Sequence, residues 1–132
     1  MFQLTPSEIK FIVENEFCRL ATSFKDRPHV VPVSYIYKDN FFYVSTDYNT
    51  KKLFNIKKNP DISLTIDVYK PNLKKGITVN GIVKIIENGQ MYNKIYLLFY
   101  SRFEWVRNDP WKEGEAPFLE IKPYAKASWG IN

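Results

Sequence analysis

Two adjacent lysines, Lys51 and Lys52, stand where lysine is out of character. They close the run Thr46-Asp47-Tyr48-Asn49-Thr50-Lys51-Lys52, where a β-type alternation gives way to a helical one. Both ammonium groups therefore fall in the first turn of a helix, beside the positive end of its macrodipole, at a cost of about 0.3–1 kcal/mol each. A bound anion reverses that sign. Free backbone N–H groups, the Thr50 hydroxyl and two ammonium groups would together cradle a phosphate. The plain alternative is that both lysines point into water.

The residues just upstream offer a flat wall. His29-Val30-Val31-Pro32-Val33-Ser34 leads a β-branched and aromatic run to Tyr37, and Phe41 to Thr46 returns across a Lys38-Asp39-Asn40 turn. Pro32 has no N–H to give a central ladder. Either the strand is an edge there, or a bulge or ligand replaces a bond. In the second case the neighbouring backbone groups are free to hydrogen-bond a ring system. His29 is the only imidazole, and no orienting partner for a catalytic base is identifiable. Cys18 opens a strand beside an apolar helix and reads as a small buried hydrophobe. One histidine and one cysteine are too few for a zinc site of thiolates and imidazoles, so no metal is expected.

The elements that must position these residues follow from the pattern. Thr5-Pro6-Ser7-Glu8 is a capping box with proline at the first helical position. It starts a helix from about Pro6 to Asn15, with Ile9, Ile12 and Val13 as its apolar stripe and Leu4 and Ile9 placed for a hydrophobic staple. Strands are expected over Cys18 to Phe24, His29 to Tyr37, Phe41 to Thr46, Ile62 to Tyr69, Gly76 to Ile86 with a bulge at Gly81, and Phe118 to Lys122, with a short last strand over Ala125 to Trp129. A second helix spans about Thr50 to Lys58 and a third about Gln90 to Ser101. Phe103 to Ala116 reads as an irregular loop rich in tryptophan and charge. About six strands with hairpin turns and about three helices make a mainly β, α+β chain, its antiparallel sheet curled into a closed or split barrel.

Length and composition bound the rest. The 132 residues suit a single domain over 1–132. Hydrophobic residues at 45% and charged residues at 25% are ordinary for a globular protein, whereas 17% aromatics exceed what one small core needs. The net charge of +5 implies an anionic partner. The start lacks the basic-then-apolar order of a signal peptide, and the longest apolar run, Ile95 to Tyr100, is far short of the ~20 residues that span a bilayer. A lone cysteine fits a reducing, cytoplasmic setting.

From HVVPVSYIY through FFYVST, NTKKLFNIKKNPDISLTI and GITVNGIVKIIEN to FLEIKPYAKASW, nearly the whole chain resembles the pyridoxamine 5′-phosphate oxidase-like, FMN-binding split β-barrels. The resemblance implies that His29, Val30, Val31, Pro32, Val33 and Ser34 lay their backbone along the isoalloxazine and ribityl chain. It implies that Ser45 and Thr46 touch the cofactor, and that Thr50, Lys51 and Lys52 hold its phosphate. It also implies a homodimer with two cofactor sites at the interface. Ser34 stands where the true oxidases carry lysine, and His29 where they often carry arginine. The basic C-terminal motif that grips their substrate phosphate is missing, since the last arginine is Arg107. The flavin site is thus expected without the vitamin-B6 site.

The expected function is FMN-dependent oxidoreduction of a small molecule. Trp105, Trp111 and Trp129 are candidates for the substrate side, and the reaction needs no side-chain acid or base. A deazaflavin coenzyme is the alternative cofactor, its acidic tail suited to Lys70, Lys74 and Lys75. A non-catalytic flavin carrier would carry the same site. A third possibility is a barrel that stacks single-stranded nucleic acid on Tyr35, Tyr37, Phe41, Phe42 and Tyr43. Interspersed acids, 14 against 19 basic residues, leave no long basic stripe for it. The third helix, apolar around most of its circumference, supports the dimer.

Overall fold

The computed structural model describes residues 2–132. Thr5 caps α1 (Pro6–Glu14) as its spacing requires: its hydroxyl accepts from the Glu8 N–H at 3.1 Å, and the Glu8 carboxylate accepts from the Thr5 N–H at 2.9 Å. Two-residue turns then fold three strands into consecutive hairpins. Lys25 and Asp26 (φ 51° and 61°) join β1 (Phe17–Phe24) to β2 (Arg27–Lys38), and Asp39 and Asn40 (φ 51° and 72°) join β2 to β3 (Phe41–Ser45). Paired positive φ values match the right-handed twist of the flanking strands. α2 (Lys51–Lys58) follows, then the long hairpin of β4 (Asp61–Lys70) and β5 (Leu73–Ile86), then α3 (Gly89–Arg102), α4 (Glu104–Asn108) and β6 (Phe118–Trp129).

All six strands are antiparallel neighbours in a closed barrel ordered β1-β2-β3-β6-β5-β4. A short seam closes it, where Arg19, Leu20 and Ala21 pair with Thr65, Leu64 and Ser63. Gly81 does lie at a bulge, but the extra residue, Tyr124, belongs to β6: Asn80 pairs with Ala125 and Gly81 with Pro123. A Cβ on Gly81 would stand 2.6 Å from Ile121 Cγ2 and 2.9 Å from the Lys122 carbonyl oxygen, so the strands meet closely only because it is glycine. The two short strands expected at the C-terminal end are therefore one continuous strand with a kink.

Two apolar cores result. Inward-facing residues such as Leu20, Val44, Leu64, Ile77 and Ile121 fill the barrel, joined by Phe11 and Ile12 of α1 and by Leu53 and Ile56 of α2. Outside the sheet, Tyr43, Ile86 and Phe118 meet Tyr92, Ile95 and Phe99 of α3, then Phe103 and Val106. The segment expected to be irregular thus contains α4, which is only five residues long and has no side-chain cap to announce it. Cys18 is buried in the barrel, and burial pushes its thiol up to about 12.

The buried face of α1 differs from the expected stripe. Phe11, Ile12 and Glu8 are buried, while Ile9 and Val13 are exposed. The cause is Glu8, which turns inward to an ion pair with Lys126 and accepts from the Ser128 hydroxyl at 2.7 Å. Burial alone would raise its carboxyl. The bonds from Lys126, the Thr5 N–H and Ser128, with the Lys126 charge, outweigh burial and bring it from the usual 4.5 down to about 2. A depressed carboxyl stabilises the fold above its unfolded pKa and loses that contribution as pH falls toward the folded one. Wild type is expected to be about 2–3 kcal/mol more stable than Glu8→Gln near pH 6, the gap closing between pH 4.5 and 2. Urea unfolding across that range checks it; a gap independent of pH would show that Glu8 carries no such linkage.

Candidate functional site

β2 pairs with β1 from Arg27 to Ser34 on one side, but with β3 only from Tyr35 to Lys38 on the other. Beyond Tyr35 the β3 side of β2 is an open edge. Pro32 lies in this stretch, opposite Arg19 of β1, and there an absent N–H is tolerated. β3 ends at Ser45, and the Thr46 N–H turns away to the Pro117 carbonyl oxygen at 3.3 Å. The two strands diverge, and the space between them is a cavity of about 560 Å³, within the range of small-molecule sites.

Three walls enclose it. The first is Pro32, Val33 and Ser34 with Ser45, Thr46 and Asp47; the second is Lys52 at the start of α2; the third is Trp105 with the stretch from Asp109 to Ala116. Of the residues singled out from sequence, Pro32, Val33, Ser34, Ser45, Thr46, Lys52, Trp105 and Trp111 line this one cavity. His29, Val30, Val31, Thr50, Lys51 and Trp129 do not. Val30 points outward and is 62% exposed. Trp129 lies over Gly76 in the far part of β6, where its ring would stand 2.5 Å from a Cβ on that glycine. His29 is paired with Thr22 of β1 and shares its face; its Nδ1 is buried without a partner. The Asn55 amide donates to the Thr22 hydroxyl at 3.0 Å, and the Asn55 Oδ1 is likewise unpartnered.

The lysine pair separates. Neighbours on a helix point about 100° apart. The Lys51 ammonium sits 5.9 Å from the Phe54 ring, while Lys52 turns into the cavity. Burial lowers the Lys52 pKa, with the Asp47 charge acting the other way. Thr50 is the N-cap: its hydroxyl accepts from the Leu53 N–H at 3.4 Å, donates to the Asp47 carbonyl oxygen at 3.1 Å and meets the Thr46 hydroxyl at 3.3 Å. The Lys51 and Lys52 amides precede the first intrahelical bond, so helix geometry leaves them free to donate. This end of the cavity thus gathers an under-solvated ammonium, a buried threonine hydroxyl and helix-end amides, a donor set that fits a phosphate.

The tryptophan wall is rigid. The Trp111 indole N–H donates to the Tyr92 hydroxyl at 2.9 Å, and that hydroxyl donates to the Ala116 carbonyl oxygen at 2.5 Å. Trp105 stacks on Trp111 with centroids 6.2 Å apart and planes at 15°, and Tyr96 meets Trp111 edge-on at 5.1 Å. Asp47, Asp109 and Glu115 also line the cavity. Sequence reading missed the last two, because nothing in the 109–116 stretch announces that it folds back beside β2. Among the described residues no group of three His, Cys, Asp or Glu side chains could hold a metal ion, and no helix is long and apolar enough to cross a membrane.

A six-stranded antiparallel barrel, parted between β2 and β3 over a cavity, defines a split-barrel fold class. The pyridoxamine 5′-phosphate oxidase family pattern matches residues 5–128, and the chain belongs to that family. A pyridoxamine 5′-phosphate oxidase homolog of Schizosaccharomyces pombe is 32% identical over 78 residues, 51% of this chain and 41% of that protein, so the match spans less than half of the relative. A FAD-binding protein of Mesorhizobium loti shares the fold with a TM-score of 0.73 at 21% identity, over 91% of this chain and 87% of its own. The haem storage protein HutZ of Vibrio cholerae shares it with a TM-score of 0.79 at 15% identity, over 98% and 96%.

No histidine, cysteine, methionine or tyrosine lines the cavity, so it offers haem iron no axial ligand of the usual kinds. Lys70, Lys74 and Lys75 sit on the β4–β5 hairpin and do not line it either; Lys74 and Lys75 lie over the rings of Tyr69 and Phe11, at 4.9 and 5.4 Å. The nucleic-acid alternative loses its platform, since Tyr35, Phe42 and Tyr43 are buried, and Tyr37 and Phe41 half-buried.

Proposed function

We propose that this chain is an FMN-dependent oxidoreductase acting on a small molecule, and that it is not a pyridoxamine phosphate oxidase. The observation that carries this is Lys52: a partly desolvated ammonium in the first turn of α2, facing a cavity of ligand size beside Thr46. Lys52, Thr46 and the α2 amides would hold the phosphate. The open β2 edge at Pro32–Ser34, with Ser45, would line the ring and ribityl chain. The cofactor supplies hydride-accepting and hydride-donating chemistry; the protein supplies binding, orientation and exclusion of water. On this reading the flavin itself carries the hydride, and no side-chain acid or base is required. Pro32, Val33 and Ser34, the β2 residues that line the cavity, include no cation to grip a second phosphate.

The chain is expected to be yellow as purified, or to become so on FMN addition, and to release a ligand with the mass of FMN on denaturation. A colourless protein that ignores FMN at tens of micromolar would overturn the proposal, and uptake of a deazaflavin in its place would redirect it. Turnover with a reduced nicotinamide separates enzyme from carrier.

We further propose a homodimer in the cytoplasm. α3 buries Tyr92, Ile95 and Phe99 against the sheet, yet leaves Leu97 65% exposed, with Met91 and Tyr100 also open to water. Light scattering at micromolar concentration is expected to give twice the 15.6 kDa of one chain; a monomer mass would contradict it.

A further inference from the structure

The cavity is lopsided in charge. Its lining carries one ammonium, Lys52, against three carboxylates, Asp47, Asp109 and Glu115. They fall at two places. Asp47, in the β3–α2 connection, is the carboxylate that acts on Lys52 in the first turn of α2. Glu115 and Asp109 instead border the tryptophan wall, with Trp105 and Trp111. No described residue forms an ion pair with Asp109 or Glu115: the salt bridges among the described residues join Arg19 to Asp67, Arg102 to Glu16 and Lys126 to Glu8. One Glu115 oxygen accepts from the Lys112 N–H at 2.6 Å, which orients the carboxylate. Trp105, 45% exposed, offers a ring face braced from behind by Trp111.

We infer that the Trp105–Trp111 wall with Asp109 and Glu115 is a subsite for a flat, positively charged substrate, such as a conjugated or aromatic nitrogen cation. A cation against an indole face gains from the ring quadrupole, and the same cation gains from two nearby carboxylates that form no ion pair. An anion of the same shape is repelled by all three groups. The inference deepens the flavin proposal, since it assigns the substrate end of a cavity whose Lys52 end takes the phosphate. The cofactor and substrate ends would then differ in sign, so neither molecule competes for the other's place.

The test uses three flat molecules of one skeleton: 1-methylnicotinamide (cation), nicotinamide (neutral) and nicotinate (anion). Each is titrated into the purified chain, with and without FMN, and tryptophan quenching is read. The cation is expected to bind about five- to tenfold tighter than the neutral molecule and more so over the anion. The double variant D109N/E115Q removes both charges, and its new amide oxygen can still accept from the Lys112 N–H. There the preference should shrink to within about twofold while FMN still binds, no more weakly than to the unaltered chain. Equal binding of the three molecules, tighter binding of nicotinate, no binding of any of them, or a preference that survives in D109N/E115Q would each overturn the inference. Failure of FMN to bind, with the cation preference intact, would remove the flavin proposal and leave the cationic subsite standing.

Discussion

Replacing Lys52 with alanine is expected to weaken FMN binding about 10- to 150-fold while riboflavin affinity changes by less than about threefold. The range follows from one charge-assisted hydrogen bond, worth about 1.5–3 kcal/mol. Riboflavin has the ring and ribityl chain without the phosphate, so the difference between the ligands isolates the Lys52 end of the cavity. Lys51→Ala is the internal control. Its ammonium lies over Phe54 and does not line the cavity, so its loss should cost FMN little. Flavin fluorescence quenching measures all four combinations. Equal losses for both ligands in Lys52→Ala, or a larger loss in Lys51→Ala, would contradict the assignment of Lys52 as the phosphate ligand.

The second large effect concerns Phe118. This ring is fully buried at the start of β6, with centroids 4.9 Å from Tyr92, 5.1 Å from Phe99 and 6.0 Å from Trp111. It therefore ties the sheet to α3 and also supports the wall of the cavity. Phe118→Ala removes a large buried side chain from a site hemmed in by other rings, at an expected cost of about 3–5 kcal/mol. Against a typical domain stability of about 5–15 kcal/mol, that leaves a marginal fold. Urea unfolding gives the cost, and tryptophan emission in the folded baseline should move to the red as Trp111 loses its backing. A loss under about 1 kcal/mol would mean that the helix layer does not depend on this contact.

What the sequence made legible was local. The capping box, the Lys38-Asp39-Asn40 turn and the strand-to-helix step at Thr46–Lys52 depend on residues within a few positions of one another, and each forms as its spacing requires. The face of α1 was hidden because the partners that turn Glu8 inward, Lys126 and Ser128, lie at the other end of the chain. α4 was hidden because five residues carry too little periodicity to register. At the site, Lys51 and Lys52 look equivalent as neighbours, but the pitch of a helix lets only one of them face the cavity. Pro32 gave a correct warning without its resolution: that β2 loses its β3 partner beyond Tyr35 is a fact of the sheet, visible once β3 is seen to end at Ser45. The carboxylates of Asp109 and Glu115 enter only through tertiary folding of a stretch with no motif.

Co-crystals grown with FMN put the matter most directly. Density for the phosphate within hydrogen-bond reach of the Lys52 Nζ and the Thr46 hydroxyl, and the ring system along Pro32–Ser34, is the expected outcome. FMN bound elsewhere on the molecule, or its phosphate remote from Lys52, would contradict it.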